Sequence, residues 1–217
     1  MNKTERKRIF NLNRFYPIID PAHCLNRSAV SVLEAVLLGG AKIIQLRNKS
    51  VPSNSIVAIQ LAHDFRALTN RFQALLIIND SIELALACDA DGVHLGQTDL
   101  GPETRSGARF EQDQNLLVGI SAFTPAEALE AEALGADYLG IGPVFPTKTK
   151  DGLSAVLGLE GLKAIIKTTQ LPCAAIGGIN SENAKAVLAA GASHLAIITA
   201  VTAASDPQEA AEYFQNL

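Results

Sequence analysis

Cysteine, long apolar runs and surplus positive charge are all scarce in this chain, and each shortage removes a class of protein. Cys24, Cys88 and Cys173 are three cysteines in 217 residues, an odd number without metal-ligand spacing. Cys88 and Cys173 lie in apolar stretches, where a thiol serves as a small buried hydrophobe. A disulfide-stapled secreted domain is excluded, and a reducing, cytoplasmic setting is expected. No apolar run reaches the roughly 18 residues of a membrane span. The basic start, Met1 to Arg8, has no apolar segment behind it and does not read as a signal peptide. A net charge of −4 and a pI near 5.6 exclude the basic stripe of a nucleic-acid binder, so phosphate recognition must be local. Gly-x-Ser-x-Gly, Walker, HExxH and CxxC signatures are absent. Gly140-Ile141-Gly142 runs straight into Pro143, where a dinucleotide fingerprint would open a helix.

What is present is regular alternation. Apolar, strand-like runs fall at residues 15–19, 42–46, 74–78, 92–95, 116–120, 138–141, 173–176 and 194–198. Helical patterns follow at 28–38, 53–68, 81–87, 124–134, 159–168, 181–190 and 206–214, with a weak helix or loop at 101–110. Ser53 and Thr124 are the expected N-caps, the latter followed by Pro125 at the first helical position. Parallel strands need helical crossovers, so eight such pairs predict a closed (β/α)8 TIM barrel. A composition 48% hydrophobic and 5% aromatic agrees with one large domain. Residues 14–217 are taken as the barrel and residues 1–13 as a solvated N-terminal extension.

Chemically capable residues gather just after the strand-like runs, where such barrels build their sites. Gln45, Arg47 and Lys49 alternate to one side and form a candidate phosphate clamp, Arg as a planar fork and Lys as a point charge. Taken alone, they read better as surface charges at a strand end. Asn79 and Asp80 follow the third run, and Gln97 and Asp99 the fourth. Two carboxylates about 4 Å apart repel by roughly 4 kcal/mol at an intermediate dielectric, which a shared cation relieves. Mg²⁺ suits one or two carboxylates completed by water and phosphate oxygens. Asp80 can also cap the next helix. Residues 142–157 form a long loop containing Thr147, Lys148, Thr149 and Lys150, an anion-binding stretch. Lys150 is expected to point inward and Lys148 outward. Gly177-Gly178, ahead of the helix expected from Ser181, and Ile198-Thr199 occupy the places that hold phosphate in many barrels. His94, inside a strand, reads as a packed or hydrogen-bonded core residue.

Taken together, Gln45-Leu46-Arg47-Asn48-Lys49, Asn79-Asp80, the stretch from Asp91 to Gln97 with Asp99, Gly119-Ile120-Ser121, the segment from Gly142 to Lys150, and Gly177-Gly178-Ile179 resemble the thiamine-phosphate synthase family. The resemblance runs from Phe15 to Phe214. It implies condensation of 4-amino-2-methyl-5-hydroxymethylpyrimidine diphosphate with 4-methyl-5-(2-phosphoethyl)thiazole, or its carboxylated form, releasing pyrophosphate and thiamine phosphate. It places Gln45, Arg47, Lys49, Asn79, Ser121 and Lys150 at the pyrimidine diphosphate, with Arg47, Lys49, Ser121 and Lys150 carrying the catalytic work. It places Asp80 and Asp99 on one Mg²⁺, and Thr147, Thr149, Gly178, Ile198 and Thr199 around the thiazole phosphate. Homo-oligomerisation is left open.

Two positions depart from the family pattern. Asn48 replaces a common acidic residue and Phe123 a common histidine. Phenylalanine cannot move a proton, which counts against the sister thiazole tautomerases. A non-catalytic thiamine-phosphate-binding regulator is a further alternative, discriminated by its lack of need for a metal pair. An isomerase of sugar or indole metabolism would want an acid–base pair at strand ends, and no Glu or Cys stands there.

Overall fold

The computed structural model describes residues 1–101, 115–149 and 155–217. Eight strands close into an all-parallel barrel in sequence order: β1 (Phe15–Ile19), β2 (Ile43–Leu46), β3 (Leu75–Asn79), β4 (Gly92–Leu95), β5 (Leu117–Ala122), β6 (Tyr138–Ile141), β7 (Cys173–Ile176) and β8 (His194–Ile197). β8 pairs back onto β1 through Phe15–Leu195 and Tyr16–Ala196. The expected (β/α)8 barrel is therefore the observed fold. Four of the strands have the bounds read from the sequence, because β-branched runs stop sharply at their polar exits.

Alternation along each strand sorts the core into two compartments. One parity, including Phe15, Ile44, Leu76, Val93, Val118 and Leu139, packs outward against the helices. The other, including Tyr16, Ile18, Ile43, Leu75, Ile77, Leu117 and Tyr138, fills the barrel interior. Near the C-terminal ends of the strands, the inner parity passes through Gln45, Asn79, His94 and Ser121.

Among the described residues the helical layer consists of α1 (Lys3–Leu12), α2 (Ala29–Leu38), α3 (Ile56–Phe72), α4 (Ile82–Ala87), α5 (Pro125–Ala133), α6 (Gly158–Ile166), α7 (Ala184–Ala189), α8 (Thr199–Thr202) and α9 (Pro207–Gln215). Thr124 caps α5 as expected, in a reciprocal capping box with Glu127. Two expected starts are corrected. Ser55, not Ser53, caps α3 by accepting the Ala58 N–H at 3.2 Å. The helix expected from Ser181 begins only at Ala184. Asn183 there accepts the Asn180 N–H and Asn180 accepts the Glu182 N–H, so side chains outcompete the helical pattern. The segment expected at 101–110 lies, from residue 102 onward, outside the described residues.

The N-terminal residues are not a solvated extension. Asn2 and Glu5 form a capping box that starts α1, and the helix lies across the floor of the barrel. Phe10 is 2% exposed, with its ring centroid 4.4 Å from that of Tyr138 and 4.3 Å from that of His194. Buried Asp91 takes ion pairs from Arg6 (3.0 Å) and Arg66 (2.7 Å), and Asp137 takes Lys3 and Lys7. Composition alone could not reveal this, since one buried phenylalanine in a basic segment leaves no periodic signal. Asp91, Asp137 and Ser193, each just before a strand, also accept the N–H of Leu76, Val118 and Cys173 on the preceding strand. The Gly135-Ala136-Asp137 and Gly191-Ala192-Ser193 joints are thus buckles between neighbouring strands.

Candidate active site

A cavity of about 370 Å³ opens at the C-terminal ends of the strands. Gln45, Arg47, Lys49, Asn79, Asp80, Asp99, Ser121, Thr147, Thr149 and Ile198 all line it, so residues from six strand exits converge as their alternation required. A second cavity of about 290 Å³ adjoins it. Thr147, Thr149, Gly177 and Ile198 line both, and Gly178 and Thr199 line the second.

The cations are held by carboxylates. Arg47 is ion-paired to Asp20, which is 1% exposed. Lys49 Nζ lies 2.6 Å from Asp80. Asp80 should point away from the cavity by alternation with Asn79, yet it adopts φ +66° and lines the same cavity. A left-handed non-glycine residue is uncommon, and here it brings two consecutive polar side chains to one place. Asp99 accepts the Gly96 N–H at 2.8 Å. Burial, and then the negative charge of Asp80, raise the Asp99 carboxyl above its ordinary value. Two mutually opposed carboxylates beside a lysine are a donor set that a divalent cation would satisfy. Among the described residues no third His, Cys, Asp or Glu joins them. Water and ligand oxygens would complete such a sphere.

The cavity floor is a continuous polar chain. Gln45 Nε2 donates to the Tyr16 hydroxyl (2.7 Å), which is 2.8 Å from that of Tyr138. Tyr138 lies 3.1 Å from His94 Nδ1, and His94 Nε2 lies 3.0 Å from Ser121 Oγ. Burial raises both phenol pKa values, so the tyrosines remain neutral hydroxyls. His94 is hydrogen-bonded, as expected, but it also lines the cavity. Its ring fits because β5 and β6 carry glycine where it lies. A Cβ on Gly119 would fall 2.5 Å from His94 Nδ1, and one on Gly140 would fall 2.6 Å from His94 Cε1. Those two glycines, on strands adjacent in the barrel, were the available signal.

The loop after β6 is zipped to the exit of β7, with Val144 and Phe145 N–H groups donating to the carbonyls of Ile176 and Gly177. Thr147 and Thr149 hydroxyls lie 2.8 Å apart. Gly178 has φ +64°, and a Cβ there would meet the Pro146 carbonyl at 2.6 Å. Glycine lets the second cavity's wall pass this close to the loop. It does so as part of a loop, since α7 begins well beyond it. Lys148 is exposed, as expected, whereas Lys150 lies outside the described residues. Asn48 turns away to accept the Ser50 N–H, and Phe123 borders the main cavity. Asp20, missed in the sequence, follows β1 directly, so the strand-exit rule applied to the first strand would have found it.

A barrel of this kind, with cations, paired carboxylates and hydroxyl-bearing loops at its strand exits, defines a class of enzymes built to receive phosphorylated small molecules. Residues 15–201 match the family model described as thiamine monophosphate synthase. The thiamine-phosphate synthase of Chloroflexus aurantiacus is 43% identical over 204 residues, 94% of this chain and 92% of that one. That of Pyrococcus furiosus is 42% identical, covering 95% of each. The solved thiamine phosphate pyrophosphorylase from Pyrococcus furiosus superposes with a TM-score of 0.82 at 38% identity, again over 95% of each chain. A 3-hexulose-6-phosphate synthase, at TM-score 0.67 and 18% identity, shares the fold alone. The chain belongs to the thiamine-phosphate synthase family of transferases.

Proposed function

We propose that this protein joins 4-amino-2-methyl-5-hydroxymethylpyrimidine diphosphate to 4-methyl-5-(2-phosphoethyl)thiazole, releasing thiamine phosphate and pyrophosphate. The observation that carries the reading is the pair of adjoining cavities. One is lined by Arg47, Lys49 and two carboxylates, and the other by Gly178 and Thr199, with Thr147 and Thr149 on the shared wall. A diphosphate fits the first and a monophosphate the second, with the reacting carbon and nitrogen at the boundary.

The chain's own residues bind, orient and neutralise. The Gln45–Tyr16–Tyr138–His94–Ser121 floor offers fixed donors and acceptors to the aminopyrimidine. Arg47, Lys49 and Lys150 draw negative charge onto the departing diphosphate, electrostatic work that preorganised cations do well. The methylene C–O bond breaks with its electron pair going to pyrophosphate, and the 4-amino group stabilises the cation left behind. The thiazole nitrogen then supplies the pair for the new C–N bond, held in attack geometry by its phosphate in the second cavity. No step requires a protein nucleophile. Asp80 and Asp99 are the residues that would hold Mg²⁺, which when bound supplies further neutralisation of the diphosphate. Phe123 at the cavity carries no transferable proton, which disfavours the tautomerase reading. Three reduced cysteines, all buried, fit a cytoplasmic setting.

The test is to combine protein, both substrates and Mg²⁺ or EDTA and to follow thiamine phosphate and pyrophosphate by chromatography. Equimolar products that vanish in EDTA are expected. Tight binding without product would replace the synthase by the regulator, and product formed equally in EDTA would remove the metal from Asp80 and Asp99.

A further inference from the structure

Asp20 is a carboxylate buried at the rim of the active site, and each of its oxygens has a separate task. Oδ1 accepts the Ala22 N–H at 3.0 Å and starts the short turn Pro21–His23. Oδ2 is paired with Nη1 of Arg47. The Arg47 backbone N–H donates to the Ile19 carbonyl at 3.0 Å, so main chain and guanidinium are both tied to the end of β1. The same turn reaches the other half of the site. The His23 carbonyl accepts the Thr202 hydroxyl at 2.9 Å, and Arg27 donates to the carbonyls of Thr202 and Ala204.

A guanidinium has five N–H donors in a rigid plane. Asp20 engages Nη1 and so orients that plane, while the Arg47 side chain lines the cavity. Burying a carboxylate is costly unless it is paired, so the arrangement persists without ligand. The side chain carries considerable rotamer freedom. Held this way, it loses that freedom on folding instead of on binding.

We infer that Asp20 is a positioning residue that preorients the Arg47 guanidinium for the diphosphate. The inference rests on the reading of Arg47 as diphosphate-binding. It makes a prediction opposite in sign to simple charge counting. Asp20→Asn removes a negative charge beside the cation, and charge alone would tighten anion binding. Positioning requires the reverse, because the Asn carbonyl can keep the Ala22 contact only by turning its NH₂ donors toward Arg47.

The experiment measures inhibition by inorganic pyrophosphate, and KM for each substrate, in wild type, Asp20→Asn, Asp20→Ser, Arg47→Gln and the double variant Asp20→Asn/Arg47→Gln. Serine keeps an oxygen for the Ala22 cap. Pyrophosphate inhibition and the KM for the pyrimidine diphosphate should weaken about 10-fold or more in both Asp20 variants, the scale of losing the outer partner of a binding group. The thiazole phosphate KM should stay within about twofold, since Asp20 makes its ion pair on the diphosphate side, and in the Arg47→Gln background Asp20→Asn should add nothing. Unchanged or tighter pyrophosphate binding in the Asp20 variants would overturn the inference. An unaltered response of Arg47→Gln would instead overturn the diphosphate role of Arg47. Nitrogen relaxation of the Arg47 side chain in ligand-free wild type needs no variant. An order parameter near 0.85 is expected, and one below about 0.6 would show an unheld side chain and refute the preorientation.

Discussion

Replacing Phe10 by alanine tests whether the N-terminal helix is part of the barrel core. The Phe10 ring is enclosed by Tyr16, Tyr138 and His194, at centroid distances of 5.6, 4.4 and 4.3 Å, and is 2% exposed. Truncating a core phenylalanine costs about 3–5 kcal/mol, the upper part of the range applying where the walls cannot collapse. Tyr16 and Tyr138 are fixed by their mutual hydroxyl contact and cannot move freely into the void. The ion pairs of Arg6 with Asp91 and of Lys3 with Asp137 keep α1 docked, so the cavity persists. A loss of about 4 kcal/mol is therefore expected. At 2–4 °C per kcal/mol for a chain of this size, Tm should fall by roughly 8–16 °C. The chain contains no tryptophan, so urea and thermal unfolding are best followed by far-ultraviolet circular dichroism. Tyr138 also touches His94, so KM for the pyrimidine diphosphate should rise in the folded variant. A loss below about 1 kcal/mol would refute the packing argument, because that is the scale of an ordinary surface substitution.

Two further outcomes follow from the barrel interior. Burial lowers the His194 pKa to about 4, with Nε2–H donating to the Phe10 carbonyl. The unfolded chain takes up its proton near pH 6.5, so the neutral-pH stability is lost as pH falls from about 6.5 to about 4 and then levels, a total of roughly 3 kcal/mol. Urea midpoints across that window should fall in wild type and fall less in His194→Gln, and equal pH dependence in the two would refute the assignment. In Gly119→Ala the new methyl would sit 2.1 Å from the Tyr138 ring and 2.5 Å from His94. Stability should drop by about 1–3 kcal/mol through overpacking, and kcat/KM by about 10²-fold through displacement of the floor. Normal turnover with a displaced His94 would show that the floor does not orient substrate.

The strand pattern and strand exits were legible because a barrel interior imposes a period of two, and Gln45, Asn79 and Ser121 continue that period past the apolar runs. The family resemblance implied roles for Arg47, Lys49, Thr147 and Thr149, and the structure gathers these residues around one cavity. Helix starts were less legible. Ser53 and Ser181 are good caps by residue type, but Ser55 and the Asn180–Asn183 turn prevail through contacts that residue type does not reveal.

The sequence by itself determined the topology, the inner and outer parity of each strand, and the end of the barrel at which chemistry is done. These depend on residue type and spacing, which are local. Only the tertiary structure decided which charges meet: Asp20 with Arg47 across 27 residues, Lys49 with Asp80 across 31, and Arg6 with Asp91 across 85. It also turned a basic, unpatterned start into the barrel floor, and made His94 part of a polar chain that spans five strands. Such pairings depend on where loops are carried by closure of the whole barrel, and no short stretch of chain contains that information.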